Sequence, residues 1–268
     1  MTKQGKNDIE WCDYTWNPIT GCLHDCKYCY AKNQARRFKG FYSHPLGANC
    51  IGDEYTPPLI KERVLDAPLD YKTKSGKIIK ASYPFGFAPT LHHYRLTEPQ
   101  EIKTPQNIFV GSMADGFGSW LPPDWVTAVF EACKAAPQHR YIFLTKDPHA
   151  YCDHDVPTGE RYWYGQTQDG QQMLTGYRAQ DINTFLSIEP LGADPGNIPF
   201  EWFDWVIVGA EKSNRKNKMI PRREWLETIV RECDRRRIPL FVKNNIAPLW
   251  EMTYGLPLRR EYPWEVTV

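Results

Sequence analysis

The sequence predicts an α/β fold, a partial (β/α) barrel of six to seven parallel strands with an insertion after the first helix. Three observations predict it. Six short runs are nearly all apolar, as strands buried on both faces are. Amphipathic stretches opened by proline stand beside several of them. Each run ends in polar residues, where the C-terminal edge of a parallel sheet presents its chemistry.

The strands are expected at 107–113 (NIFVGSM), 140–146 (RYIFLTK), 161–167 (RYWYGQT), 183–190 (NTFLSIEP), 204–211 (DWVIVGAE) and 238–244 (IPLFVKN). Between the first two, Pro122 and Pro123 open a helix whose Trp125, Val126, Val129, Phe130 and Cys133 form one stripe, and Pro137 stops it. A second helix begins at Pro221, carries Trp225, Leu226, Ile229, Val230 and Cys233 inward, and ends before Pro239. Another helix is expected from about Tyr30. Residues 40–106, rich in Pro, Gly, Tyr and His, are read as an insertion covering one end of the barrel, with a strand near 79–87 and a short helix near 58–66. Residues 245–268 form a C-terminal extension, and 1–268 is expected to be a single domain.

Composition narrows the function classes. With 41% hydrophobic and 14% aromatic residues, the chain has material for a sizeable core. Lys plus Arg, 33, nearly balances Asp plus Glu, 32, so any nucleic-acid contact must rest on local patches. No run approaches a membrane span and the first residues lack the apolar stretch of a signal peptide, which predicts a cytoplasmic protein without a membrane partner. In a reducing compartment, the eight Cys are expected to be ligands, catalytic groups or core residues rather than disulfides.

Cys22, Cys26 and Cys29 stand in a C-x3-C-x2-C array just before the helix at Tyr30. Three thiolates on a four-iron cube leave one iron open to another molecule, and an open coordination position suggests catalysis. The alternative is a structural zinc completed by Cys12 or His24, in a non-catalytic protein that presents a basic loop to DNA or RNA. Cys133 and Cys233, on helix stripes, are read as core. Cys12, Cys50 and Cys152 are read as unliganded, with Cys50 a candidate donor thiol.

The cysteine spacing, with Tyr28 before the last Cys, resembles the signature of the radical SAM superfamily. GSMADGF, LTKDP and SIEPLG resemble the spore photoproduct lyase-like branch. The order of His93-Tyr94-Arg95-Leu96, Gly111 to Asp115, Leu144-Thr145-Lys146, Ser187 to Leu191 and Trp205 to Glu211 is similar to an uncharacterised phage-associated family of that branch. The likeness covers roughly residues 11–245. It departs in Gly209-Ala210-Glu211, where a GGE-like ending is usual, and in GSMADGF, which lacks the Cys that serves those lyases as hydrogen donor.

The resemblance implies a 4Fe-4S cluster on Cys22, Cys26 and Cys29, with S-adenosylmethionine on the open iron and an external one-electron reductant. It also implies that Tyr28, Ser112 and Asp115 bind the cofactor, Ser112 and Asp115 taking the methionyl amine. Lys146, Ser187, Glu189 and Glu211, polar residues at strand ends, are candidates to bind the cofactor, with an anionic substrate the alternative partner of Lys146 and a substrate that of Glu189 and Glu211. For Tyr28 the other reading is an aromatic anchor, for Asp115 a turn cap, and for Lys146, Glu189 and Glu211 a structural salt bridge. Lys212, Arg215, Lys216 and Lys218, after the 204–211 strand, are candidate phosphate contacts or a solvated loop. His92, His93 and Tyr94 line the mouth beneath the insertion or merely pack, and Trp120 and Trp250 stack bases or merely pack. The expected reaction is radical modification of a nucleic acid or nucleotide, the alternative substrate being a peptide or small metabolite.

Overall fold

The computed structural model describes residues 1–5, 9–38, 62–73, 75–170, 181–212 and 216–265. Strands β1 (Thr2–Lys3), β2 (Tyr14–Trp16) and β3 (Ile19–Thr20) precede helix α1 (Tyr30–Phe38). The insertion supplies β4 (Val64–Leu65), β5 (Asp70–Lys72), β6 (Ile78–Lys80), β7 (Thr90–His92) and the short α2 (Glu98–Glu101). Then follow β8 (Asn107–Val110), α3 (Pro123–Lys134), β9 (Arg140–Thr145), β10 (Tyr162–Gln168), β11 (Asn183–Ile188), β12 (Trp205–Val208), α4 (Arg223–Arg236), β13 (Leu240–Val242) and α5 (Ala247–Tyr254).

One sheet runs β1-β2-β8-β9-β10-β11-β12-β13, parallel throughout except for β1, which pairs antiparallel with β2. Spatial order follows chain order, so every crossover steps the same way, and right-handed crossovers then gather on one face. Helix α3 packs its Trp125, Val129 and Phe130 against Ile108, Val110, Tyr141 and Phe143. Helix α4 packs Leu226, Ile229 and Cys233 against Ile188, Val206, Val208 and Leu240. Strand alternation sends Phe109, Ile142, Phe185, Ile207 and Phe241 to the other face, which is covered by Trp11, Tyr262 and Trp264 near the chain's two ends.

The six expected strands are present. The sheet, however, is open: β1 and β13 are its edges, and no closure into a barrel is seen among the described residues. The β13 edge is covered instead, since Val242 N donates to Arg259 O at 2.9 Å and Glu261 N to Leu240 O at 3.2 Å. A covered edge has no unpaired backbone left to drive closure. The strand-helix alternation is also incomplete, with the 3-10 turns Pro148–Asp153 and Phe200–Trp202 standing in the β9-β10 and β11-β12 connections. Sequence reading missed β2, a three-residue strand with no apolar run, although it leads directly to the cysteine loop.

In the insertion, β3, β7 and β4 form a small sheet, and β5-β6 a hairpin. The strand expected at 79–87 stops at Lys80, and Gly86 downstream has φ +64°. Of the helix expected at 58–66, residues 58–61 lie outside the described residues, and the described remainder is not α-helical, with 64–65 in a strand.

Candidate functional site

The cysteine loop is held at the C-terminal edge of the parallel sheet by backbone on both sides. After β2, the Asn17 side chain accepts from Met113 N at 2.8 Å and faces Ser112 Oγ at 3.1 and 3.2 Å. The Asn17 carbonyl accepts from Arg95 Nη1 at 2.9 Å. Gly21, at φ +90°, donates its N–H to Met113 O at 2.9 Å. A Cβ there would overlap the Ala88 carbonyl, so only glycine lets the loop and the insertion approach this closely. Cys22 N donates to Phe87 O at 3.2 Å.

Cys22, Cys26 and Cys29 are all half-buried, and none is in a disulfide. Cys29 precedes α1, and its Sγ accepts from Lys32 N at 3.3 Å, the bond a Ser or Asp would accept at a helix N-cap. Its sulfur thus faces the positive end of the helix dipole. Burial pushes the Cys22 thiol up to about 12, against a backbone hydrogen bond at His24, and Asp115, Cys26 and Cys29 push it further. Burial also raises Cys26, while the Lys146 ammonium pulls it down.

Beside the loop, Lys146 Nζ lies 2.8 Å from Asp169 Oδ2 and 2.6 Å from the Tyr28 hydroxyl, which itself donates to Asp169. Lys146 and Asp169 side chains are 12% and 5% exposed, so each charge is neutralised by the other rather than by water. Burial, then Asp169, drives the Tyr28 hydroxyl well above its usual value, which keeps it a proton donor. Asp115 is buried and accepts four hydrogen bonds. Oδ1 takes Thr145 Oγ1 at 2.7 Å and Phe117 N at 3.1 Å, and Oδ2 takes Lys146 N at 3.0 Å and His24 Nε2 at 2.7 Å. Burial raises its carboxyl, but the His24 and Lys146 hydrogen bonds outweigh it and leave the value lowered. With its acceptor sites filled by protein donors, Asp115 ties the cysteine loop to the ends of β8 and β9.

Of the other candidates, Glu189 pairs with Lys243, and Gly209 lets the Lys243 stem pass close to the end of β12. Ser187 is 1% exposed within β11. Glu211 is buried and accepts from Met219 N at 3.0 Å. Lys212, Lys216 and Lys218 are exposed, while Arg215 and Cys50 lie outside the described residues. Trp250 packs in the core and donates to Leu256 O at 2.9 Å, and Cys133 and Cys233 are buried there too. His92 is buried against Thr20 Oγ1, and the His93 side chain meets Asp66. The His24 ring stands edge-on to Trp120, with centroids 4.8 Å apart.

Asn17, Asp169 and Lys243 were missed as site residues. Asp169 carries the same signal as the others, an acid before a glycine just past a strand, in Gln168-Asp169-Gly170. Asn17 carries none, because its role depends on a partner 95 residues away.

A family described as "Protein of unknown function (DUF5131)" matches residues 6–247. The chain belongs to that family. The stretch shared with DUF5131 begins before the cysteine loop and runs past β13, so it takes in the whole mouth described above. No curated protein and no solved structure matches the chain. The donor chemistry of the trio, three thiols on one loop at a helix N-terminus, fits an iron-sulfur cluster in kind. Among the described residues no three His, Cys, Asp or Glu side chains are already arranged to hold a metal ion.

Proposed function

We propose that this DUF5131 chain is a radical SAM enzyme, in which Cys22, Cys26 and Cys29 hold a 4Fe-4S cluster and the mouth beside them holds S-adenosylmethionine. One observation carries the reading: a three-thiol loop lies at the C-terminal edge of a parallel sheet wound in sequence order, the edge where such sheets place their ligands. The cluster, charged with one electron from an external reductant, would supply the cleavage of S-adenosylmethionine to a 5′-deoxyadenosyl radical. The protein's part is to bind, orient and shield.

Each neighbouring residue has a task that follows from its surroundings. Tyr28 presents a ring and a protonated hydroxyl beside Cys26, and Asp169 fixes both Tyr28 and Lys146. Lys146 offers the cofactor carboxylate a cation already stripped of most of its water. Ser112 and Asn17 supply hydroxyl and amide groups at the turn after β8, whereas Asp115 holds that turn to the loop. The substrate class proposed is a nucleic acid or nucleotide, supported by exposed Lys212, Lys216 and Lys218 after β12.

Anaerobic reconstitution with iron and sulfide, followed by reduction in the presence of S-adenosylmethionine, tests the reading. The expected result is a brown protein that releases 5′-deoxyadenosine, with both properties lost in Cys22→Ser, Cys26→Ser and Cys29→Ser. Tightly held zinc without acid-labile sulfide would replace it with the structural-metal reading.

A further inference from the structure

At the opposite edge of the sheet, where the strands begin, lies a polar cleft of about 320 Å³, lined by Asp13, His139, Arg140, Arg161, Trp264 and Glu265 among others. That volume is at the lower end of small-molecule sites. The cleft holds two guanidinium groups and two carboxylates, yet among the described residues none of the four forms an ion pair. Arg140 is instead held by neutral groups. Its Nη1 donates to Asn107 Oδ1 at 2.8 Å, and its guanidinium lies 4.2 Å from the Trp264 ring centre. Among the described residues, Arg161 donates to the Pro137 carbonyl alone. Asp13 accepts from Asn107 N at 2.7 Å through one oxygen. The charges are therefore oriented but not neutralised by one another.

The floor adds a second observation. His139 is 0% exposed, and its Nε2 lies 2.9 Å from the Pro99 carbonyl. A carbonyl only accepts, so Nε2 carries a proton, and Nδ1 is the ring's other polar atom. That Nδ1 and the adjacent Arg140 Nε are both buried with no hydrogen-bond partner. Buried polar atoms are normally satisfied, and two orphans on neighbouring residues leave the polar floor of this cleft under-satisfied by the protein itself. Burial lowers the Arg140 guanidinium, while Glu160, Glu265 and Asp13 act against it, so the cleft is balanced in sign rather than purely cationic.

We propose that this cleft is a second ligand site, for a small zwitterion such as a free α-amino acid, whose carboxylate meets Arg140 and Arg161 and whose ammonium meets Asp13 and Glu265. It is separate from the cysteine loop and does not rest on the radical reading. Calorimetric titration of the full chain with L-serine tests it, against ethanolamine, 3-hydroxypropionate and inorganic phosphate. L-serine is expected to bind with a Kd of about 1 mM or tighter, and the three probes that lack one of its charges at least about tenfold more weakly. Arg140→Gln, and the exposed Glu265→Gln, which leaves the packing untouched, should each weaken serine by about tenfold. Phosphate binding as tightly as serine, no serine binding, or serine binding indifferent to both substitutions would each overturn the assignment.

Discussion

Where the strands begin, the sheet's inner face is an aromatic cluster: Trp205 lies 5.2 Å from Trp264 and 6.2 Å from Trp163, with Trp11 and Tyr262 against the same ring. Where the strands end, the same sheet pairs charges away from water, in Lys146 with Asp169 and Lys243 with Glu189, and ties the buried Asp115 to the His24 ring by a hydrogen bond. Ring packing is non-directional and gains from every square ångström removed from water. Buried charge costs desolvation and persists only where every partner is in place. The aromatic cluster therefore supplies stability, and the paired charges at the strand ends spend some of it to hold polar groups ready for a ligand.

Four experiments would break or sharpen that contrast. Trp205→Ala, which empties the centre of the aromatic cluster, should cost about 3–5 kcal/mol in urea unfolding, and a cost under about 1 kcal/mol would show that these rings are not the anchor. At the other end, Lys146→Met and Asp169→Asn should each cost about 3 kcal/mol, because each strands a buried charge. Their double-mutant cycle should show about 1–3 kcal/mol of coupling, and additive effects would mean that the pair is not a unit.

The third experiment concerns acid. His92, buried beneath the cysteine loop on β7, has its pKa lowered from 6.5 to about 3, by burial and then by Arg95. Between those values the unfolded chain binds a proton that the folded chain refuses. Stability is thus complete above pH 6.5 and falls as the pH drops toward 3, by about 2 kcal/mol at pH 5. His92→Gln should flatten that slope in pH-dependent melting, and an unchanged slope would assign the acid sensitivity elsewhere. The smallest effect on stability is expected at the rim. Lys216→Ala with Lys218→Ala should leave stability within about 0.5 kcal/mol. The pair should reduce the salt dependence of nucleic-acid binding by about one unit of slope for each phosphate that the loop no longer neutralises, and an unchanged slope would remove this loop from the binding surface.

Much of this was legible beforehand, for reasons that differ between elements. The runs at 107–113, 140–146 and 183–190 are apolar on both faces, which leaves little alternative to a buried parallel strand. Helices α3 and α4 announce themselves by period and proline. β2 was hidden because Tyr14–Trp16 is too short to carry a period, and its strand character comes from pairing with β8. Lys146 was readable as a charge in need of a partner, but Asp169 was not readable as that partner. The loops after β9 and β10 meet only when the strands lie side by side.

By itself, then, the sequence determined the parallel α/β class, the trio of thiols on one loop and the set of polar residues at the strand ends, because these depend on local pattern and spacing. Tertiary structure alone decided that the sheet stays open, that Asp115 is saturated while Lys146 is paired, and that Asp13 and Arg140 share a cleft without forming an ion pair. Those outcomes rest on distances between residues far apart in the chain. No local propensity encodes them, and only the sum of packing, edge pairing and charge compensation settles which side chain meets which.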